Sequence, residues 1–527
     1  MTDLPGAAAL TDAAIFDAEF YAAQLPQRPD DPLAHFLTEG DRSGLDPSPY
    51  FSTSDYKQRY PDWQESGAAT AVEDMLTRIG RGEMRQPHPM IDPEFYLSTH
   101  PDLSGLGAEA ALHFIRHGDA EGRRPSVLFD PRFYARRYLL TGETHAFRHF
   151  ATVGRAQGFL PRPVPRTTEE SRARMEALLS PLTRPMLFVA HDAQPAGVPI
   201  LTLDLARHAM QRGFQPVFLL DRGGPLSQRF VAMAPTVILV EGWDLDGLVQ
   251  ALPPELPALV NSAAAAPLAV RLAPRCRSLV LIHEMPAYLH AQNLIAPLQQ
   301  ARDAGAELVA SFDAMAAGLQ AELGPMQVIQ PGIMLPPLDL ASARRTRRLI
   351  GRPKALFIGA GHADHRKGFD LFLQAAQALQ QELPGARFVW LGNLDQWAGE
   401  LAREAIAAGL DLHLPGFVED YTSWYRLADA YLLTSRQDPG PATAVHAAAM
   451  GAKVVAYDHD IALKDRIPPH GEIVAAGDLA GYVKACLAGV DEPATRRRAR
   501  RRYVRAHSDM GGYFSRLADA LTRAQAN

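Results

Sequence analysis

Two successive trains of short apolar runs constrain this chain more than any other feature. From Pro185 the runs are Met186–Ala190, Pro216–Leu220, Val237–Val240, Ala258–Val260, Leu279–Ile282 and Glu307–Ser311. Amphipathic stretches such as Ile200 to Arg212 lie between them. The pattern restarts with Ala355–Ile358, Phe388–Leu391, Leu412–Leu414, Ala430–Leu433 and Val454–Ala456. Near-continuous apolar runs separated by helix-length segments predict parallel strands covered by helices on both faces. Two such trains, divided near Leu335–Arg352, predict two doubly wound α/β domains facing a cleft. Ligands in such folds sit at the carboxyl ends of the strands.

The first 160 residues follow another rule. Phe16-Asp-Ala-Glu-Phe-Tyr21 recurs as Phe51-Ser-Thr-Ser-Asp-Tyr56, Ile91-Asp-Pro-Glu-Phe-Tyr96 and Phe129-Asp-Pro-Arg-Phe-Tyr134. Each copy is followed by a second segment, Ala34-His-Phe36, Glu73-Asp-Met75, Leu112-His-Phe114 or Arg148-His-Phe150, and then by Gly40, Gly80, Gly118 or Gly154. Repeats of this length predict small helical units that bury their faces against one another. Asp before Pro or a small residue suits a helix N-cap, and the Phe-Tyr pairs suit a shared core. These aromatics and histidines read first as packing residues, and the module as a whole could serve as a docking surface. Leu160-Pro-Arg-Pro-Val-Pro-Arg166 then predicts an extended linker, followed by a charged helix from about Glu169 to Leu179.

The chain has 527 residues, too long for one core, and a 47% apolar content that supports several. Its net charge of −6 gives no global attraction to nucleic acid or to an anionic membrane. Cys276 and Cys486 are far apart and lack metal-ligand spacing, which suits a reduced compartment. Met1-Thr-Asp-Leu-Pro5 lacks a basic leader, and no run approaches about 18 apolar residues. The expected location is cytoplasmic, with any membrane contact peripheral, at the inner face.

Five constellations carry chemistry. In the stretch from Phe357 to Asp370 a strand ends at Gly359-Ala-Gly361, and Arg366-Lys367-Gly368 precedes a helix. Glycines admit an anion close to the backbone, and the two cations suit a diphosphate; the alternative is a solvated basic turn. In Thr434 to Gly451 a strand, a Pro-Gly-Pro turn and an Ala-rich helix make an anion and sugar-hydroxyl site. Pro441 reads as its first helical residue and Gly440 as a point of close approach. Asp438 is either a sugar-hydroxyl acceptor or an N-cap. Gly197 lies in the first strand-to-helix turn of the first train, His191 to Ile200. His283, beside Glu284, leaves the end of another strand, where it touches a ligand or serves structure. Arg496 to Arg502 holds six arginines in seven residues, either a solvated helix or a contact for anionic lipid or a lipid-linked phosphate.

Taken in order, these motifs resemble the retaining glycosyltransferases of family 4, which have the GT-B fold. The resemblance covers roughly Pro185 to Ala520 and includes Pro-Gly-Phe-Val-Glu-Asp at 415–420 and Ala-Met-Gly at 449–451. The N-terminal units look like repeats found beside some bacterial polysaccharide glycosyltransferases. The resemblance implies a nucleotide diphosphate sugar as donor substrate, no cofactor and no metal. Arg366 and Lys367 would hold the diphosphate. Asp438 and His283 would meet the sugar, Gly197 would approach it from the first domain, and Phe417 and Val418 would lie near the base. Gly359, Gly361 and Gly440 complete the expected donor site.

Position 446 departs from the family pattern, which has Glu there to bind both ribose hydroxyls. Neutral His offers one acceptor. Three explanations compete: another group grips the ribose, the donor is unusual, or catalysis has been lost.

The expected organisation is a helical module over 1–162, with units at about 16–50, 51–90, 91–128 and 129–162, and a linker over 163–183. An acceptor-side Rossmann-like domain over 184–345, a donor domain over 346–490 and C-terminal helices over 491–527 follow. The expected acceptor is a cell-surface glycan, a lipid-linked intermediate or a protein. The rival reading is a non-catalytic glycan-binding or assembly protein with a decayed site.

Overall fold

The computed structural model describes residues 14–140, 142–335, 339–462, 464, 467 and 471–523. The leader expectation for Met1 to Pro5 lies outside the described residues. The chain forms two compact units. One comprises the residues up to Leu179 with Asp192–Pro199 and Leu219–Ala251; the other comprises Ser180–His191, Ile200–Phe218 and the residues from Leu252 onward.

The N-terminal region of the first unit is helical, and one set of contacts recurs along it. The carboxylates of Asp17, Asp92 and Asp130 cap the helices Ala18–Ala22, Pro93–Thr99 and Pro131–Tyr138. Ser52 stands at the same point before Thr53–Arg59 and makes no side-chain cap bond. The amides of Asp17, Ser52, Asp92 and Asp130 donate to the carbonyls of Pro47, Pro87, Pro125 and Pro161, closing each segment on itself. Tyr21, Tyr96 and Tyr134 are buried, and their hydroxyls meet Nδ1 of His35, His113 and His149 at 2.6, 3.0 and 2.8 Å. In the second segment Tyr56 donates instead to Asp74 at 2.6 Å. The histidines therefore belong to the packing.

Each of the three His segments widens into a π-helical turn, Phe36–Gly40, Phe114–Gly118 and Phe150–Gly154. A Cβ on Gly40, Gly118 or Gly154 would lie 2.1, 2.4 or 2.0 Å from the tyrosine hydroxyl of its own segment. The linker is pinned within the same unit. Val164 and Arg166 donate to the carbonyls of Glu241 and Gly242, and Arg137 pairs with Glu241 at 2.7 Å.

Seven parallel strands form the first sheet: β1 Pro185–Ala190, β2 Gln215–Leu220, β3 Thr236–Ile238, β4 Leu256–Asn261, β5 Cys276–Ile282, β6 Glu307–Ala310 and β7 Gln327–Val328. Their order is β3-β2-β1-β4-β5-β6-β7. The second sheet contains β8 Ala355–Ala360, β9 Ala386–Leu391, β10 Leu412–Gly416, β11 Ala430–Leu433, β13 Lys453–Tyr457 and β15 Gly471–Val474 in the order β10-β9-β8-β11-β13-β15. A separate two-strand ribbon pairs β12 Gln437–Asp438 with β14 Asp460–Ile461. Both main sheets are Rossmann-like, with the order reversing beside β1 and β8.

Alternation along β8 shows how the second sheet is packed. Ala355 and Phe357 point into a core with Trp390, Phe372, Ala402 and Tyr482, under the helices Phe369–Glu382, Gln396–Ala407 and Leu479–Val490. Leu356 and Ile358 point into the opposite core with Tyr425, Ala447, Ile350 and Val504. That face is covered by the helices Leu340–Ile350, Tyr421–Tyr425, Ala442–Met450 and Ala494–His507. Leu340–Ile350 runs through position 345/346 and packs on the second sheet through Ile350.

Beyond His507 the last helix, Met510–Arg523, returns to the first sheet, where Arg277 on β5 donates to the Leu521 carbonyl at 2.8 Å. The basic run 496–502 is helical and divided by role. Arg500 is buried and pairs with Glu492, Arg497 pairs with Asp429, and Arg501 donates to the Met450 carbonyl, while Arg496, Arg498 and Arg502 are exposed.

Candidate functional site

The polar residues gather where β8 and β11 end, at the point where the strand order of the second sheet reverses. The loop after β8 runs from Gly361 (φ 132°) to Gly368 (φ 66°), which caps Phe369–Glu382 in the left-handed region. A Cβ on Gly368 would lie 2.0 Å from the Thr434 carbonyl oxygen, so two loops from adjacent strands meet there in backbone contact. Arg436 fastens the same seam. Its guanidinium binds Asp370 through two bonds of 2.7 and 2.8 Å and also reaches the His365 carbonyl. This fork-to-carboxylate geometry holds the 365–367 segment against the 435–437 segment.

Lys367 and Asp438 meet at the centre. Nζ lies 2.5 Å from Oδ2 of Asp438, whose residue is only 3% exposed. The same carboxylate accepts from Ser435 Oγ at 3.1 Å and from the Gly440 amide at 3.3 Å. Asp438 is thus an ion-pair partner at the turn, and the helix that follows has no side-chain cap bond. Arg366 is exposed and donates to the Gln437 carbonyl at 3.1 Å. Thus 71 residues of sequence separate Lys367 from Asp438, and the fold joins them.

The remaining expected site residues divide between packing and open positions. Gly359 lies within β8, and a Cβ there would strike the Trp390 ring at 2.6 Å. Pro441 is the N-cap of Ala442–Met450, one position before the expected first helical residue, because its ψ of 81° is not helical. Gly451 ends that helix with φ 102°. A Cβ on Gly440 would lie 2.8 Å from the Phe312 ring. Phe417 is 61% exposed after β10, and Val418 packs partly against the Ile350–Val504 core. Gly197 opens the helix Gly197–Gln211 at an exposed position in the first unit.

His283, after β5, is half-buried with both ring nitrogens occupied. Nδ1 meets Ser311 Oγ at 2.6 Å, and Nε2 meets Asn261 Oδ1 at 2.7 Å. Asn261 in turn donates to Thr202 at 2.8 Å. Burial pushes the imidazole below its ordinary pKa, against the pull of Glu284. Glu284 accepts from Ser262 at 2.6 Å and from the His283 amide at 2.9 Å. The ends of β4, β5 and β6 are therefore tied by a closed polar net. Asn261, Ser262 and Ser311 were not singled out in the sequence, although a polar residue ending an apolar run is the signal that marks each of them.

His446 presents the opposite case. Its ring lies 4.9 Å from that of Tyr421, and its Nε2 is buried without a hydrogen-bond partner among the described residues. Burial lowers its pKa to about 4, only partly offset by a hydrogen bond with the Met334 backbone. The ring is neutral at pH 7.

Residues 352–491 match the family of glycosyl transferases group 1. The second sheet is thus a glycosyltransferase domain, and the chain is an enzyme of that class. No curated protein matches this chain. Among solved structures, HepE of Anabaena in complex with UDP is similar, at 17% identity over 65% of this chain and 100% of that chain, with a TM-score of 0.56. HepE in complex with UDP-glucose gives 16%, 64%, 99% and 0.54 in the same order. Sucrose-phosphate synthase of Thermosynechococcus elongatus gives 15%, 65%, 99% and 0.51. The shared architecture is GT-B, two Rossmann-like sheets, and in this chain a helical region precedes it.

Proposed function

We propose that the chain is a metal-independent retaining glycosyltransferase. It moves a sugar from a nucleotide diphosphate sugar to a cell-surface glycan, a lipid-linked intermediate or a protein. The observation that carries this reading is the Lys367–Asp438 pair beside Arg366, at the strand ends of the family-matched domain. HepE binds UDP and UDP-glucose in its solved complexes, and its likeness supports a uridine donor.

Arg366 and Lys367 supply the positive charge that a departing nucleoside diphosphate needs as its bond to the sugar breaks. Asp438 holds the Lys367 ammonium in place before the donor arrives, and its second oxygen accepts from sugar hydroxyls. His446 is neutral and adds no charge. With one ring nitrogen bonded to the Met334 backbone, Nε2 is left to meet a single ribose hydroxyl, half of what a Glu would offer. His283 reaches a sugar only by exchanging one of its two present bonds.

The test is turnover over a broad panel of nucleotide sugars with wild type and Arg366→Ala. Losing one preorganised contact to developing charge lowers kcat about 100- to 1,000-fold. A wild type that neither binds nor consumes any donor overturns the reading in favour of a binding protein with a decayed site.

A further inference from the structure

The two faces of the second sheet carry opposite electrostatics. The helices over the Trp390 core, Phe369–Glu382, Gln396–Ala407 and Leu479–Val490, hold Asp370, Glu382, Glu400 and Glu404 against Arg403 and Lys484. The four helices over the other core contain no acidic residue. Leu340–Ile350 carries Arg344, Arg345, Arg347 and Arg348, all exposed, and among the described residues only Arg345 has an acidic partner, Asp339 at 3.8 Å. On Ala494–His507, Arg498, Arg502 and Arg505 recur at a four- and three-residue spacing and are exposed along one side. Arg426, after the helix Tyr421–Tyr425, is exposed between the two. Neighbouring positive charge from Arg426, Arg497, Arg505 and Arg498 adds to burial in lowering the pKa of Arg501. Nearby acids are already engaged: Asp420 with Thr422 and Ser423, Asp429 with Arg497, and Glu492 with Arg500.

In a chain of net charge −6, this one face still exposes Arg344, Arg345, Arg347, Arg348, Arg426, Arg498, Arg502 and Arg505. Leu340 and Leu349 flank those of the first helix and are 63% and 66% exposed. At 3.6 residues per turn, Arg344, Arg348 and Arg345 fall on the outer arc between these leucines, opposite the buried Thr346 and Ile350. We infer that this face docks on a membrane surface rich in anionic phospholipid. The arginines meet the phosphates, and Leu340 and Leu349 enter the headgroup boundary. The leucines favour a bilayer over a soluble polyanion, which offers no apolar layer to receive them. Among the described residues no helix is long and apolar enough to cross a membrane, so the contact is peripheral. The inference does not depend on the transfer reaction.

The test is co-sedimentation of the full chain with vesicles of phosphatidylcholine alone and of phosphatidylcholine mixed with phosphatidylglycerol. Binding is expected only to the mixed vesicles, falling steeply as salt rises from about 0.05 to about 0.5 M. Each headgroup-facing arginine is worth about five-fold, so Arg344→Gln, Arg345→Gln and Arg348→Gln together weaken binding about 100-fold. The paired changes Leu340→Ser and Leu349→Ser abolish the binding that persists at high salt. Unchanged thermal midpoints in these exposed-site variants tie the losses to the surface. Equal binding to neutral vesicles, no vesicle binding by wild type, or binding to RNA without binding to vesicles overturns the inference. The wild-type salt titration decides the matter even if a variant folds poorly.

Discussion

His283, directly after β5 of the first sheet, and His446, on the helix Ala442–Met450 beyond β11 of the second, meet opposite fates. At the first sheet the histidine meets Ser311 and Asn261, the latter held by Thr202, and neither ring nitrogen is free. The second leaves Nε2 of His446 buried without a partner among the described residues, on the helix that follows the Lys367–Asp438 pair. A satisfied buried polar group is architecture, whereas an orphaned one carries a standing desolvation penalty that a ligand can relieve. The same residue type thus separates a sheet end that is finished from one that is waiting.

The largest effect expected is on the waiting side. Lys367→Met strands the Asp438 carboxylate and lowers unfolding free energy by about 3–5 kcal/mol, read from denaturant titration. An unchanged midpoint would mean that the pair does not hold the turn together.

Acid should act next. The folded-state pKa of His446, about 4, lies below the ordinary value near 6.5. The unfolded chain therefore binds the extra proton first. Stability is full above about pH 7 and falls as pH drops from about 6.5 to 4, by about 3 kcal/mol for this group. His283, also depressed, adds in the same direction. His446→Gln should flatten its own share of the slope; an unaltered slope would place the titration elsewhere.

On the finished side, His283→Leu leaves Ser311 and Asn261 short of a bond each. It should lower stability by about 2 kcal/mol while nucleotide affinity holds, measured by thermal shift with and without UDP. Loss of nucleotide affinity without loss of stability would reverse the contrast. The smallest effect is a gain. His446→Glu should tighten nucleotide binding by about 1 kcal/mol by supplying the second ribose acceptor. Weaker binding would mean that the pocket is built around the imidazole.

Long apolar runs made most of both sheets legible, because buried parallel strands need little more than their own composition. The strands β7, β12, β14 and β15 were not legible: Gln327-Val328, Gln437-Asp438, Asp460-Ile461 and Gly471–Val474 hold no continuous apolar run of three, whereas the equally short β3, β6 and β11 lie within such runs. Leu340–Ile350 read only as a divide. Its arginines conceal an apolar side made of little more than Thr346 and Ile350. In the site, Lys367 and Asp438 were each visible from local motifs. Their contact was not, because a salt bridge across 71 residues is a property of topology. The net around His283 escaped for the same reason.

In the N-terminal region, tyrosine and glycine decide each other's identity. Where the tyrosine hydroxyl turns to a histidine, it occupies the space that a Cβ on the later glycine would need. Neither position can drift alone: a larger residue at Gly40, Gly118 or Gly154 requires a shorter ring at Tyr21, Tyr96 or Tyr134. The second segment shows the constraint released. Tyr56 turns to Asp74, and Gly80 has nothing within 4 Å. Gly80 is the member of the series that descent is free to replace, and across relatives it should vary independently while the other three change only together with their tyrosines.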